Sequence, residues 1–436
     1  MKSRAFRLPE ALRSLFRSVP AVVRRDYVSS TAIHWLTLAS GLLLFHLVAR
    51  RAGPAGFAYY QVARSVVATL QPFALLGLVP ALHRYLPRAG DGARMLARQS
   101  FLTQLVLMDL IGLLGLVLAD DLGRLLGIPG GATSVRAVII LLAGNCLCVV
   151  AVAALRGCGQ VTAANLAWLL GLGILPVVAF ALTDRMEVFL ALQGLAMIII
   201  AVAGIAVART PPSQQTRPPS FRTVVTFGLR RAPGDIALPA LFSFPTFYAA
   251  AAAGPGDPDA GYVGFVTSAI TLICSLFGML TPVLLPRLSG AFHTTGVGAE
   301  LGRGLKTLPV VAAALTTPVT GLLFLAAPTI VHNFLGLDFT EAIDALRLGL
   351  PAAIPFAVFY AARPTLDALA DSPIVSRLLL GCLALQIVGT LALGTLLSPS
   401  TAALAGLTIG AVALGAASYL ALLHTIPAPK LSRRMG

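Results

Sequence analysis

The stretch that decides the fold is GPAGFAYYQVARSVVATLQPFALLGLVPALHRYLP, which runs from Gly53 to Pro87. It opens as a Gly/Pro turn and continues as an apolar run long enough to cross a bilayer. Arg64 lies about two helical turns inside this run, where an arginine facing lipid costs ~2.5–3.5 kcal/mol. Gln61, Arg64 and Gln71 fall on one helical face. This pattern favours a spanning helix whose polar stripe lines a cavity; the alternative is that Arg64 extends its aliphatic stem to the nearer interface.

The whole chain has the composition of a membrane protein. Of its 436 residues, 57% are apolar and 11% are charged, whereas about a quarter of the residues in soluble domains are charged. The formal net charge is +15, but the cations are scattered between apolar runs without an RNA- or DNA-binding motif. A nucleic-acid partner is therefore excluded. The five cysteines provide neither a disulfide framework nor a metal-ligand spacing.

The apolar runs predict an all-α, polytopic membrane protein with about twelve transmembrane helices. The predicted spans are residues 29–49, 57–82, 98–119, 135–156, 160–183, 187–208, 223–250, 261–286, 305–331, 345–366, 373–397 and 401–423. Prolines inside the second, seventh and tenth spans predict bends, which membranes tolerate where the freed backbone groups face protein or water.

One polar break, RTPPSQQTRPPSFR at Arg209 to Arg222, has the composition of a linker and divides the spans six and six. The predicted organisation is a first six-helix unit at 29–208, the linker at 209–222 and a second six-helix unit at 223–424. Residues 1–28 predict a basic amphipathic segment on the membrane surface, and residues 425–436 predict a basic tail.

The distribution of Lys and Arg predicts the orientation. With the N-terminus inside, the inside segments hold most of the 32 Lys and Arg residues, as the positive-inside rule requires. The outside loops instead carry acids such as Asp184, Asp257 and Asp338, and their only basic residues are Arg50, Arg51, Arg124, Arg136, Arg185 and Arg347. We therefore expect a multi-pass protein of the cell inner (plasma) membrane, with the N-terminal segment, the linker and the C-terminal tail in the cytoplasm.

No enzyme site and no metal site is predicted, since the chain lacks a phosphate-binding loop, a nucleophile elbow and a metal-ligand spacing. A guanidinium grips a phosphate or pyrophosphate through two parallel hydrogen bonds, so Arg64, Arg230 and Arg231 are candidates for binding an anionic substrate. Asp109 and Asp235 are candidates for carrying a coupling H⁺ or Na⁺. The candidates for the polar lining of a cavity are His34, Gln61, Gln71, Thr267 and Thr271; the alternative is that hydroxyls and amides join neighbouring helices.

GPAGFAYYQ followed by GLVPALHRYLPR resembles the opening of the polysaccharide-export branch of the multidrug/oligosaccharidyl-lipid/polysaccharide exporter superfamily. Further similar segments follow in the same order: ALRGCGQ, GLRRAPGDIAL, AGYVGFVTSAI, VLLPRLS and YAARPTLDALAD. The seventh span departs from the family pattern, because LFSFPTFYAAAAAG lacks the Asp that many relatives place there. A coupling role for that Asp therefore cannot be carried over to this chain.

The resemblance implies two six-helix bundles around a central cavity that opens alternately to each side. It also implies a flippase that moves a polyprenyl-pyrophosphate-linked oligosaccharide from the cytoplasmic to the outer leaflet, for the biosynthesis of a cell-surface polysaccharide (O-antigen, capsule or exopolysaccharide). The implied partners are this lipid-linked oligosaccharide, membrane lipids and other polysaccharide assembly proteins, with no cofactor other than a coupling ion.

Three alternatives stay open from the sequence. A cation-coupled multidrug antiporter predicts an acidic cavity, whereas the intramembrane charges of this chain are mainly basic. A membrane glycosyl- or phosphotransferase predicts clustered acids at the cytoplasmic face, where this chain is basic. The third alternative is a non-transporting partner within a polysaccharide assembly complex.

Overall fold

The computed structural model describes residues 21–125, 131–209, 220–254, 256–278, 299–369 and 374–426. These residues form helices and connecting turns, with no β-strand among them. The α-helices are α1 (Ala21–Leu75), α2 (Leu78–Tyr85), α3 (Ala93–Val117), α4 (Ala119–Leu125), α5 (Gly131–Gly157), α6 (Val161–Leu169), α7 (Leu175–Ala181), α8 (Met186–Val207), α9 (Phe221–Ala253), α10 (Asp259–Gly278), α11 (Ala299–Leu325), α12 (Ala327–Ile330), α13 (Ala342–Gly349), α14 (Ala353–Leu369), α15 (Ile374–Leu393) and α16 (Pro399–Thr425).

Eleven helical stretches in the described part of the chain are long and apolar enough to cross a membrane, and the first of them contains two spans. Helix α1 has 55 residues but is interrupted at Gly53, whose φ of 67° is a left-handed value that glycine adopts without strain. The helix therefore consists of arm 1 (residues 21–52) and arm 2 (residues 54–75). Counting both arms confirms the all-α fold and the prediction of about twelve spans. Residues 1–20, 210–219, 279–298 and 427–436 lie outside the described residues, and with them most of the predicted N-terminal segment, linker and tail.

The second predicted span bends at its basic-residue end. Leu76 and Gly77 both have positive φ, at 47° and 69°, so arm 2 stops there and α2 continues the span in a new direction. The break leaves the carbonyl of Ala74 near the end of its helix, and Gln104 of α3 donates to it at 3.1 Å. The side-chain amide thus satisfies a backbone group that lipid cannot.

The seventh span, for which prolines predict a bend, is one uninterrupted helix, α9, and it too leaves a carbonyl that a glutamine pairs. Pro245 in α9 has no N–H, so it cannot donate to the carbonyl of Leu241 four residues earlier. Gln386 of α15 donates its Nε2 to that carbonyl at 2.9 Å. Since Gln386 is fully buried, this hydrogen bond forms inside the protein and fixes α15 against α9.

The helices pack into two lobes. The first lobe contains the two arms of α1 and helices α2 to α8, with α5 and α8 packed along each other at its centre. The second lobe contains α9 to α16, in which α16 packs against both α14 and α15. Contacts between the lobes run from α1 to α9 and α10, and from α2 to α9. In the described part of the chain, each lobe contains six spans when the two arms of α1 are counted separately.

Successive spans run antiparallel, so the connections gather at two ends. We call the end that contains Asp184, Asp257 and Asp338 the acidic end; there Arg51 pairs with Asp184 from another connection. We call the opposite end the basic end; there Gln160 donates to the carbonyl of Val207 at 3.2 Å. Which end faces the cytoplasm remains a prediction from the charge distribution.

Candidate functional site

Arg64 lies between the two lobes in the half of arm 2 nearest the acidic end. Its Nη1 donates to Oε1 of Gln61 at 3.0 Å and to Oγ of Ser268, in α10 of the second lobe, at 3.3 Å. The guanidinium lies over the ring of Phe45 at 4.5 Å and near that of Tyr60 at 5.7 Å. The side chain is half-buried and points between the lobes rather than towards an interface.

The guanidinium of Arg64 keeps hydrogen-bonding capacity for a ligand. Both of its hydrogen bonds among the described residues use Nη1, although an arginine carries five N–H donors. The Arg–carboxylate pairs found among the described side chains are Arg51–Asp184, Arg124–Asp121 and Arg363–Asp367, and Arg64 belongs to none of them. It is therefore a cation between the lobes whose local partners are neutral.

Arm 2 and α10 cross at very short range next to Arg64. A Cβ added to Gly261 would lie 3.0 Å from the Cα of Ala58, and one added to Gly264 would lie 2.6 Å from the Cβ of Gln61. A Cβ at position 264 would force a larger shift, whereas one at position 261 would require its neighbour to move by only a few tenths of an ångström. Gln61 is consequently only 1% exposed, so the predicted cavity-lining residue is instead part of the contact between the lobes and orients Arg64.

A cluster of aromatic rings joins the lobes between Arg64 and the acidic end. Phe57 of arm 2 packs edge-to-face on Phe339 at 5.6 Å between centroids and on Phe265 at 6.4 Å. We call this cluster the aromatic plug; its members are Phe45, Phe57, Tyr60, Tyr262, Phe265, Phe334 and Phe339. Aromatic pairs contribute ~0.5–1.5 kcal/mol each beyond the area that they bury. The plug therefore closes the acidic end.

Backbone carbonyls at the end of α12 add polar contacts to this closure. Nδ1 of His46 lies 2.7 Å from the carbonyl oxygen of Phe334. Nη2 of Arg50 donates to the carbonyls of His332 and Asn333 at 3.3 and 2.9 Å. Arm 1 of the first lobe thus caps a turn of the second lobe that would otherwise present unpaired carbonyls.

A cavity of about 300 Å³ lies between the first lobe and α9, towards the basic end. Its polar lining comes from Gln71, two helical turns from Arg64, together with His83 and Asp235. The structure thus brings together two of the predicted residues, Gln71 and Asp235, with a histidine that the sequence analysis did not single out.

The hydroxyls of Thr267 and Thr271 bond to their own helix. They donate to the carbonyls of Gly264 and Thr267 at 3.1 and 2.8 Å, so their hydrogens are used within α10. Ser268, which the sequence analysis passed over, is the α10 hydroxyl that reaches the first lobe. A signal for it exists in the sequence, because Ser268 lies on the same helical face as Gly261 and Gly264.

Among the described side chains, Asp109 and His34 make no hydrogen bond or ring contact with Arg64. Asp109 is exposed on α3 among exposed apolar side chains such as Val106, Leu110 and Leu113, on the lipid-facing side of the first lobe. His34 is half-buried on arm 1. Arg230 and Arg231 belong to α9, but their side chains lie outside the described part of the protein.

No group of three or more His, Cys, Asp or Glu side chains among the described residues has the arrangement of a metal site. The five cysteines are free thiols in buried positions. They pack as small apolar side chains, as such cysteines commonly do.

Residues 23–292 match a family model described as "Polysaccharide biosynthesis protein". The chain belongs to this family. The resemblance seen in the sequence motifs is thereby confirmed, and it covers the complete first lobe and the beginning of the second. None of the curated proteins compared matches the sequence.

Solved structures with the same fold are membrane transporters. An inward-facing multidrug resistance MATE family transporter of the MOP superfamily has a TM-score of 0.71, with 18% identity and coverage of 93% of this chain and 99% of that one. The outward-facing conformation of such a transporter has a TM-score of 0.62 at 18% identity, covering 93% and 96%. A MOP superfamily transporter from Pyrococcus furiosus, described by the reverse polarity of its binding pocket, has a TM-score of 0.58 at 18% identity, covering 93% and 94%. The protein is thus a multi-pass membrane protein with the two-lobed fold of MOP transporters.

Proposed function

We propose that the protein is a flippase for a polyprenyl-pyrophosphate-linked oligosaccharide, which it moves from the cytoplasmic to the outer leaflet. The observation that carries this proposal is Arg64, a half-buried cation between the lobes whose described contacts are neutral. Such a guanidinium binds a pyrophosphate through charge-assisted, bidentate hydrogen bonds. Membership of a polysaccharide biosynthesis family supports a glycan as the rest of the substrate.

The proposed transport cycle starts from the conformation seen here. We take the closed acidic end as the outer side, in line with the charge distribution, and the higher similarity to the inward-facing relative supports this choice. The substrate headgroup enters from the basic end and passes Gln71 to reach Arg64, while the polyprenyl tail stays in the bilayer. Opening of the acidic end separates Arg64 from Ser268 and breaks the aromatic plug, so that the headgroup is released outside.

A second candidate is a cation-coupled multidrug antiporter, which the MATE neighbours favour. In this function Asp235, in the cavity with His83, carries the cation. Arg64 argues against this function, because the positive charge of a guanidinium next to the transport path does not favour the binding of a cationic drug. Transporters that share a fold at 18% identity can have substrate pockets of different charge. An experiment therefore separates the two functions.

The test uses cells that lack this protein. The lipid-linked glycans are extracted, identified by mass spectrometry and assigned to a leaflet by their accessibility to an added glycosidase. A flippase predicts that the completed pyrophosphate-linked glycan accumulates on the cytoplasmic leaflet and returns to normal with the wild-type gene. A glycan that stops at an incomplete stage indicates a transferase. Unchanged lipids with increased sensitivity to cationic drugs overturn the proposal in favour of the antiporter.

A further inference from the structure

Arg156 lies in the last turn of α5, at the basic end of the first lobe. From the sequence it is one of many inside-facing basic residues, but the structure half-buries it. Its guanidinium lies 5.7 Å from the centroid of the Trp168 ring, and its Nη2 donates to Oδ1 of Asn165 at 3.5 Å. Arg156 belongs to none of the Arg–carboxylate pairs among the described side chains.

Asn165 connects Arg156 to arm 1. It is only 4% exposed, and its Nδ2 lies 3.4 Å from Oγ of Ser29 and 3.1 Å from Oγ of Ser30. His34 follows Ser30 by one helical turn on arm 1. Three helices, α1, α5 and α6, therefore contribute polar side chains to one place within an otherwise apolar lobe.

Two imidazoles lie on helices that pack against α5, the helix of Arg156. His34 belongs to arm 1, and His83 belongs to α2 and lines the cavity of about 300 Å³ next to α9. We call these residues the first-lobe cluster; its members are Ser29, Ser30, His34, His83, Arg156 and Asn165. His83 is the member of the cluster that also lines this cavity.

The chemistry of the first-lobe cluster suits an anion. The guanidinium of Arg156 keeps N–H donors beyond the one that Nη2 gives to Asn165, and each imidazole carries an N–H, whereas the hydroxyls of Ser29 and Ser30 already donate to the carbonyl of Asp26 and to Oδ1 of Asn165. No member of the cluster is a carboxylate, so the positive charge of Arg156 is not neutralised within it. A partly desolvated cation without a counter-charge is unfavourable unless a ligand supplies one, and oxygens of a phosphate group match both the charge and the donor geometry.

We infer that the first-lobe cluster binds a phosphate-bearing anion at the basic end of the first lobe, separately from Arg64. The phosphate group comes either from a lipid headgroup or from a soluble phosphate compound, which share this chemistry. The inference rests on the proposed function only for the suggestion that a lipid pyrophosphate stops here before it reaches Arg64. The anion site itself requires no transport.

The intrinsic fluorescence of a tryptophan can report binding at this site. Its only two tryptophans are Trp35 and Trp168, and Trp168 is the ring next to Arg156. In the variant W35F, the fluorescence of the purified full chain therefore reports on Trp168 alone. Titration with inorganic pyrophosphate is expected to give a saturable change in emission, because neutralising Arg156 alters the field at the indole ring.

Variants in the W35F background assign the response. R156Q is expected to raise the apparent dissociation constant at least tenfold, while R156K, which keeps the charge, retains part of the affinity. Asn165→Asp places a carboxylate beside Arg156 and is expected to abolish the response without a change in side-chain size. R136Q is the matched control, since Arg136 is exposed at the other end of the same helix; its response should equal the response of W35F.

A second arm distinguishes the sources of the phosphate. The same variants are titrated with detergent micelles that contain phosphatidylglycerol, with phosphatidylcholine micelles as the uncharged reference. A response to pyrophosphate indicates that a soluble anion suffices, and a response to phosphatidylglycerol alone indicates a lipid headgroup. Either response supports the inference if it is absent in R156Q and in Asn165→Asp. No saturable response to either probe, or an equal response in a monodisperse R156Q or Asn165→Asp sample, overturns it.

Because the titration measures no transport, its failure leaves the flippase proposal unaffected, and failure of the flippase proposal leaves the titration interpretable.

Discussion

The guanidinium of Arg64 and the hydroxyl of Ser268 are joined by a 3.3 Å hydrogen bond across 204 positions of sequence. This bond connects the two lobes beside the aromatic plug, so it must break whenever the acidic end opens. Among the described residues, the hydrogen bonds of Arg64 use only Nη1, so its other donors are available to the anion that we propose. In the proposed transport cycle, Arg64 therefore couples substrate binding to the opening of the acidic end.

Replacing Arg64 with Gln should reduce transport while leaving membrane expression intact. Gln keeps a hydrogen-bonding end but loses the charge, and hydrogen bonds to charged groups contribute ~1.5–3 kcal/mol, which corresponds to at least about a tenfold loss. The measurement is the amount of glycan that reaches the outer leaflet in complemented cells. R136Q is the control with the same loss of one positive charge at an exposed position. Equal transport by R64Q and wild type would remove Arg64 from the substrate path.

A disulfide between positions 58 and 261 should lock the acidic end closed. A Cβ at position 261 would lie 3.2 Å from the Cβ of Ala58, close to the ~3.5–4.5 Å that disulfides require. The double variant A58C/G261C should therefore cross-link under mild oxidation, lose transport and recover it on reduction. The single variants should respond to neither treatment, since the five native cysteines are buried. Full transport by the cross-linked protein would mean that this contact never opens.

Gly264→Ala should weaken the same contact by steric overlap. The added methyl group would lie 2.6 Å from the Cβ of Gln61, and overpacking of this kind typically costs ~1–3 kcal/mol. We expect a lower yield of the 58–261 cross-link and slower transport. Gly321→Ala is the matched control, because nothing lies within 4 Å of a Cβ there and Ala is the better helix former. A cross-link yield unchanged in G264A would contradict the close packing of α10 on arm 2.

Gln386→Leu should destabilise the second lobe, because it leaves the Leu241 carbonyl without its 2.9 Å donor. A buried polar group without a partner costs ~1–3 kcal/mol, which a thermal unfolding measurement in detergent detects as a lower Tm. Pro245→Ala restores a backbone N–H four residues after Leu241, so the double variant P245A/Q386L should recover part of the loss. Purely additive effects of the two substitutions would show that Pro245 is not the reason why this carbonyl needs Gln386.

Single cysteines should report the orientation. Asp338 lies at the acidic end and Arg377 at the basic end, and both side chains are exposed. If the acidic end faces outwards, a membrane-impermeant maleimide labels D338C in intact cells and labels R377C only after permeabilisation. The reverse pattern would invert the topology and the direction of transport that we propose.

Much of the fold follows from local physics and is therefore readable from the sequence. Each backbone polar group in lipid must be paired within its own segment, so every sufficiently long apolar run is a helix regardless of its neighbours. Gly53 of GPAGFAYYQ marks the break between the two arms of α1 for an equally local reason, its left-handed φ of 67°. The helical period also predicted that Arg64 and Gln61 share a face, and they are hydrogen-bonded.

The partners of these residues depend on how the helices are rotated against one another. The period of a helix relates the faces of its own side chains but does not say which neighbour each face meets. For this reason the sequence alone made Asp109 a candidate for carrying a coupling H⁺ or Na⁺, whereas the structure places it exposed on α3. For the same reason it took Gln61 as cavity lining, whereas close contact with Gly264 buries it.

The sequence by itself determined a twelve-span, two-part membrane protein with a cation inside its second span, because span length, helix formation and the cost of burying charge are properties of single segments. Only the tertiary structure decided that Ser268 is the partner of Arg64, that the aromatic plug joins the lobes at the acidic end, and that Arg156 meets Asn165. These contacts unite segments far apart in the chain, and the packing of small side chains that selects them is a property of the assembled bundle.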